Sequence, residues 1–223
     1  FMCLLGWSPG DDTEVMTREE IVRRFSIDRI NDSPATFDVE KLEWMNGVYI
    51  RNMSEDELIE HLLPFMERSE ADAGLPDSVE RPIDRVYLKK LIPLVHERLK
   101  LLTEGTETLD FFFADNVNPA AEDLPGRKMD MAMTETALEA ALSLCKSVTS
   151  FEPEHLEAGY RALAEKIKMK PGQLFSPIRV ATTGKAFAPP LFDTMAAIGQ
   201  ARCIERIGNA LSIIRSAAST SGE

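Results

Sequence analysis

Apolar side chains recur at three- and four-residue intervals in segment after segment, and stretches that alternate apolar with polar are nearly absent. That spacing belongs to amphipathic helices, not to half-buried strands, and it predicts an all-α protein. A first helix is expected near Thr17 to Phe25, then a turn at Asp32-Ser33-Pro34 and a helix from Asp38 through Trp44; Leu42, Met45 and Tyr49 are the apolar positions of this region. Thr17 with Glu20, and Ser54 with Glu57, fit the capping box, in which the hydroxyl accepts from an orphan amide and the carboxylate accepts from the cap's own N–H. After Ser54, Leu58, Leu62 and Met66 share one face of an acidic helix that Pro64 is expected to kink. Beyond a loop at Gly74-Leu75-Pro76, a long helix is expected from about Asp84 to Glu104. It aligns Leu88, Leu91, Val95, Leu99 and Leu102, is bent at Pro93, and is ended by a left-handed Gly105.

Phe111-Phe112-Phe113 is expected to close a core, and the Pro-, Asn-, Gly- and Asp-rich stretch Asn116 to Arg127 to form a hinge between two helical subdomains. Past it, Thr134 is expected to cap a helix carrying Leu138, Leu142 and Cys145, and a helix from Glu154 aligns Leu156, Tyr160, Leu163 and Ile167. A short helix ended by Gly184 and two more broken at Gly199 follow, and the small polar tail Ser216 to Glu223 is expected to fray. The pattern divides the chain at residues 1–53, 54–118 and 119–223.

With 223 residues, 44% hydrophobic and 28% charged, the composition is that of a soluble globular protein, and no apolar stretch reaches membrane-spanning length. Cys3, Cys145 and Cys203 are odd in number, far apart and without the Cys/His spacing of zinc sites. They are read as buried packing residues of a cytoplasmic protein. The start at Phe1, inside an apolar pattern, suggests a piece of a longer polypeptide. A net charge of −12 argues against a polyanionic partner, but residues 161–215 hold nine basic and three acidic side chains, a local +6 that leaves −18 for the remainder. An RNA would be steered to the C-terminal third and repelled elsewhere.

No catalytic residue or metal ligand set is evident: there is no Gly-rich phosphate loop or nucleophile elbow, and His61, His96 and His155 do not cluster. The run Gly172-Gln173-Leu174-Phe175-Ser176-Pro177-Ile178-Arg179-Val180-Ala181-Thr182-Thr183-Gly184, with Ala188-Pro189-Pro190-Leu191 and the Ile198-Gly199 break, resembles the anticodon-binding end of bacterial glutamyl-tRNA synthetases. Leu4-Leu5-Gly6-Trp7-Ser8, Phe37-Asp38 and Lys41-Leu42-Glu43-Trp44-Met45-Asn46-Gly47 resemble the segment after the catalytic domain of the same enzymes. The resemblance implies the end of a stem-contact region followed by two helical anticodon-binding subdomains. Its implied partner is tRNA-Glu, with no DNA or membrane, and the chain is expected to be monomeric. ATP and Mg²⁺ would belong to the parent enzyme, because the ATP-binding motifs of class I synthetases are missing, and Lys168-Met169-Lys170-Pro171 is only superficially like the second. This chain alone is expected not to aminoacylate.

The resemblance places anticodon contacts at Arg98 and Arg179, at Ala188 and Pro189, and at Leu191, and stem contacts at Lys41 and Trp44. Arginine offers only donors, so it suits cytosine, whose pairing edge shows two adjacent acceptors, and not guanine, which shows two donors. Arg98 is therefore expected to read the third anticodon base and Arg179 the middle one. Many relatives have a hydroxyl residue where this chain has Ala188, which removes one polar base contact. Other readings stay open: a helical arginine is more often an ordinary surface charge, Trp44 fits a core position equally well, and Pro189-Pro190 can simply start a helix. Two other functions also stay open, an acidic helical scaffold that binds proteins and a paralogue that charges tRNA-Gln as well.

Overall fold

The computed structural model describes residues 1–31 and 36–220, with side chains to residue 217; the turn expected at Asp32-Ser33-Pro34 lies outside the described residues. These form ten α-helices joined by 3-10 turns and loops: α1 (Arg18–Arg24), α2 (Val39–Arg51), α3 (Glu55–Met66), α4 (Arg85–Val95), α5 (Glu104–Phe113), α6 (Met131–Ser147), α7 (Pro153–Lys166), α8 (Pro171–Thr183), α9 (Leu191–Ile198) and α10 (Gln200–Thr220). The extended pairing found among the described residues is a single antiparallel bridge between Trp7 and Ile30. No helix of the described residues is long and apolar enough to cross a membrane.

Local chemistry explains most helix starts. Thr17 and Ser54 form the two expected capping boxes with Glu20 and Glu57. Asp84 accepts from the N–H groups of Val86 and Tyr87, and Pro153 and Pro171 stand at the first positions of α7 and α8, where a missing N–H costs nothing. The cap of α6 differs from expectation. Asp130, not Thr134, accepts from the N–H of Met133, while the Thr134 hydroxyl donates back to the Asp130 carbonyl from inside the helix. At the C-terminus α10 continues through Ser216 to Thr220 where fraying was expected, and the Ser216 hydroxyl bonds the carbonyl one turn earlier; residues 221–223 lie outside the described residues.

The long helix expected from Asp84 to Glu104 is two helices. Pro93 removes an amide from α4, which stops at Val95; a 3-10 turn, His96–Arg98, follows, and Leu99 is extended. The Glu104 carboxylate then accepts from the N–H groups of Lys100 and Leu101 at 2.8 and 3.1 Å, fixing the connection into α5. Gly105 does not end a helix. It lies buried in the first turn of α5, where an added Cβ would stand 2.5 Å from a Leu62 methyl, so its missing side chain lets α5 close on α3.

Helices α3, α4 and α5 pack together, α10 lies along α6 and α8, and α9 contacts α7, α10 and α4. One apolar core runs from Ile50 to Ile214 through these layers. The stretch Asn116 to Arg127 is tied into it: Leu124 is buried, and Asn209 of α10 donates to the Val117 carbonyl and the Asn118 side chain. Two arginines of α10 fasten the layers. Arg206, 1% exposed, donates to the carbonyls of Thr182, Phe111 and Ala114, and Arg202 donates to those of Ile198 and Phe112 and to the Tyr87 hydroxyl. Both guanidiniums thus meet the carbonyl-rich end of α5, where the helix dipole favours positive charge. Cys145 and Cys203 are buried as expected, but Cys3 is exposed, because the 3-10 turn that carries it (Met2–Leu5) buries no side chain.

Candidate nucleic-acid interface

The break after α4 brings Arg98 out of a helix and onto an exposed turn. Opposite stands α8, which ends at Gly184 in the left-handed conformation (φ 73°) and releases the loop 185–190 back toward that turn. Between them lies a cleft of about 530 Å³ lined by Arg98, Thr108, Arg179, Phe187, Ala188 and Pro189. It continues into a space of about 380 Å³ that also reaches Lys100, Glu107 and Lys185.

Arg179 projects from the middle of α8 and is half-buried. Its Nη1 donates to the carbonyls of Ala188 and Pro189 at 3.1 and 2.7 Å, so it clamps the loop it faces. A guanidinium carries five N–H donors, and this clamp uses two. The Thr183 hydroxyl accepts from the Lys185 N–H, and the Lys185 ammonium bonds the Asp110 carboxylate at 2.8 Å, which pins the start of the loop to α5. Among the described residues neither Arg98 nor Arg179 has a carboxylate partner. Burial first, and then the Arg98 guanidinium, pull Arg179 below the usual guanidinium range. Two like charges facing one cleft without an acid between them would gain from a ligand rich in acceptors.

The structure gathers four of the expected anticodon residues, Arg98, Arg179, Ala188 and Pro189, around this cleft. Leu191 is placed differently: it is the first residue of α9, 5% exposed, and anchors the loop from the core side. Lys41 and Trp44 stand on α2 and are not among the residues that line the cleft. Lys41 is ion-paired with Glu14, and Trp44 is 46% exposed, so its ring is not a core residue. Sequence reasoning missed Phe187, which is 93% exposed on the loop. A signal was available, since a Phe between Gly184 and Pro189-Pro190 sits in a segment that cannot be helical and has no apolar periodicity to satisfy.

The local +6 also needs correcting as a guide to surface charge. Of its nine cations, Arg202 and Arg206 serve backbone carbonyls, and three others are ion-paired: Arg161 with Glu157, Lys185 with Asp110, and Arg215 with Glu135 and Glu139. Lys166, Lys168, Lys170 and Arg179 have no carboxylate partner among the described residues. The tally of charges was right, but five of the nine are engaged in bonds within the protein, and Arg179 also holds its loop. No group of three or more His, Cys, Asp or Glu side chains is placed to hold a metal ion among the described residues.

Residues 57–211 match the family described as anticodon binding domain. The chain is 44% identical over 217 residues to the glutamate–tRNA ligase of Roseiflexus castenholzii, covering 97% of this chain and 42% of that protein. It is 44% identical over 223 residues to the glutamate–tRNA ligase of Chloroflexus aurantiacus, covering 98% and 43%. The crystal structure of a glutamate tRNA ligase from Elizabethkingia meningosepticum shares the fold, with a TM-score of 0.75 at 23% identity over 95% of this chain and 39% of that one. The chain thus spans less than half the length of the curated relatives it matches.

Proposed function

Because the chain belongs to the anticodon-binding domain family, we propose that it is the part of a glutamate–tRNA ligase that recognises the anticodon of tRNA-Glu. The observation that carries this reading is the cleft in which Arg98 and Arg179, neither neutralised by an acid among the described residues, face the clamped loop 185–190. Single-stranded RNA loops are held by splaying their bases and bonding the exposed edges. Arg98 presents donors to the third anticodon base, and cytosine meets them with two acceptors. Guanine, which ends the anticodons of glutamine tRNAs, would set its own donors against a guanidinium.

An unpartnered donor in such a contact costs about 1–3 kcal/mol, which is about tenfold to a few hundredfold in discrimination. Arg179, with three donors left after clamping the loop, is assigned the middle base. Lys41 and Trp44 are assigned to the stem, where the exposed Trp44 ring supports contact more than packing. In the longer protein, ligation of glutamate to tRNA-Glu would use ATP and Mg²⁺ held by residues outside this chain, in the cytoplasm and as a monomer. No step of that chemistry is assigned to the residues of this chain.

The test is a titration of the chain with the anticodon stem-loop of a tRNA-Glu. Arg98→Gln and Arg179→Gln are each expected to weaken binding about tenfold or more, whereas Arg161→Gln, at a residue ion-paired with Glu157 on α7 and not among those lining the cleft, is expected to change little. Equal affinity for all four proteins would reject the assignment.

A further inference from the structure

Phe187 is 93% exposed, more than any other large apolar side chain of the described residues. Its surroundings make that exposure hard to ascribe to a loose loop. Two residues before it, the Lys185 ammonium bonds the Asp110 carboxylate and the Glu107 carbonyl; one and two residues after it, the Ala188 and Pro189 carbonyls are held by Arg179. Pro189 is buried and, with Pro190, restricts the backbone further. The ring is therefore carried on a backbone clamped from both sides, at the rim of the space that Arg98 lines.

We infer that Phe187 is the stacking platform for one splayed base of the bound RNA loop. The inference rests on the anticodon reading and adds the group that holds a base by its face, where the arginines bond bases by their edges. A base drawn out of its stack leaves two π-faces bare, and guanidinium contacts in the plane of the ring leave them bare still. An aromatic side chain standing free beside those guanidiniums covers one face. Every base has such a face, so the contact adds affinity without choosing a sequence. A neutral ring displaces no counterion, so it also leaves the salt dependence untouched. Because the backbone is already fixed, little ordering is required when the RNA arrives.

The experiment compares the 223-residue chain with Phe187→Ala, Phe187→Leu and Phe187→Trp, titrated with two anticodon stem-loops, one ending in C and one in G, at several salt concentrations. Phe187→Ala and Phe187→Leu are expected to weaken both loops in the same proportion, about 5- to 100-fold, with the C-to-G ratio and the salt slope unchanged. Phe187→Trp is expected to bind at least as well as the parent chain. All three variants should unfold at the parent temperature, since the side chain packs on nothing. Undiminished binding by Phe187→Leu, or a loss in Phe187→Trp as large as in Phe187→Ala, overturns the stacking role while the anticodon reading stands. If the parent chain binds neither loop, the anticodon reading itself fails and the platform falls with it.

Discussion

Arg98 and Arg179 carry opposite structural loads. Arg98 is exposed with no acid partner among the described residues and stabilises nothing visible, whereas Arg179 holds the loop 185–190 through two carbonyls. Arg98→Gln is therefore expected to leave stability within about 0.5 kcal/mol of the parent in a urea titration while lowering RNA affinity. Arg179→Gln is expected to cost both affinity and about 1–3 kcal/mol of stability, because it orphans two carbonyls. If the two variants were equally stable, the clamp would carry no weight. Arg179 was legible in the sequence because it sits in a distinctive run, but its bond to a loop nine and ten residues later was not, since spacing says nothing of where a loop folds back. Phe187 was overlooked because an aromatic residue by itself looks the same in sequence whether it fills a core or stands in water, and its setting between Gly184 and Pro189-Pro190 was the one signal that it lies in a loop.

The helices themselves were mostly legible, since apolar period and capping pairs report local physics. Expectations failed where tertiary packing overruled them, most clearly between Asp84 and Phe113. An unbroken helix would satisfy the apolar spacing of Leu88 to Leu102, but Pro93, and the grip of Glu104 on two amides, favour two helices and a turn that delivers Arg98 to the cleft. Gly105→Ala tests this packing. Helix propensity alone favours alanine by about 1 kcal/mol, yet a Cβ 2.5 Å from the buried Leu62 must push α5 from α3. A net loss of about 1–2 kcal/mol is expected, and a gain in thermal stability would contradict the close approach. The capping boxes predict an acid response as well. Backbone N–H groups of Thr17 and Ser54 hold the Glu20 and Glu57 carboxylates below their ordinary range, so this contribution is present above the unfolded carboxylate pKa and is lost as pH falls through the lower folded values. Glu57→Gln should therefore flatten the acid limb of the stability profile and leave its slope between about pH 7 and pH 8 as it is in the parent, because Glu57 is ionised there in both the folded and the unfolded chain.

At the scale of the whole molecule, a net charge of −12 is compatible with the proposed RNA recognition because the positive side chains divide between staples and groups that face the cleft. Arg206 belongs to the first kind. Arg206→Met should cost about 3 kcal/mol or more in equilibrium unfolding, since three helix-end carbonyls lose their donor. Arg98, Lys100 and Arg179 are the cations without an acid partner that line the cleft among the described residues, so RNA affinity should fall only moderately with salt, with a logarithmic slope of about −2 to −3, that of three or four neutralised phosphates. A protein-binding scaffold would barely respond. The most direct measurement of the central claim is the affinity of the chain for two anticodon stem-loops that differ only in the third anticodon base, C or G, at one salt concentration, repeated with Arg98→Gln. The account predicts that the C loop binds about tenfold or more tighter and that Arg98→Gln removes most of that difference; equal binding of the two loops by the parent chain, or a preference that survives the substitution, contradicts it.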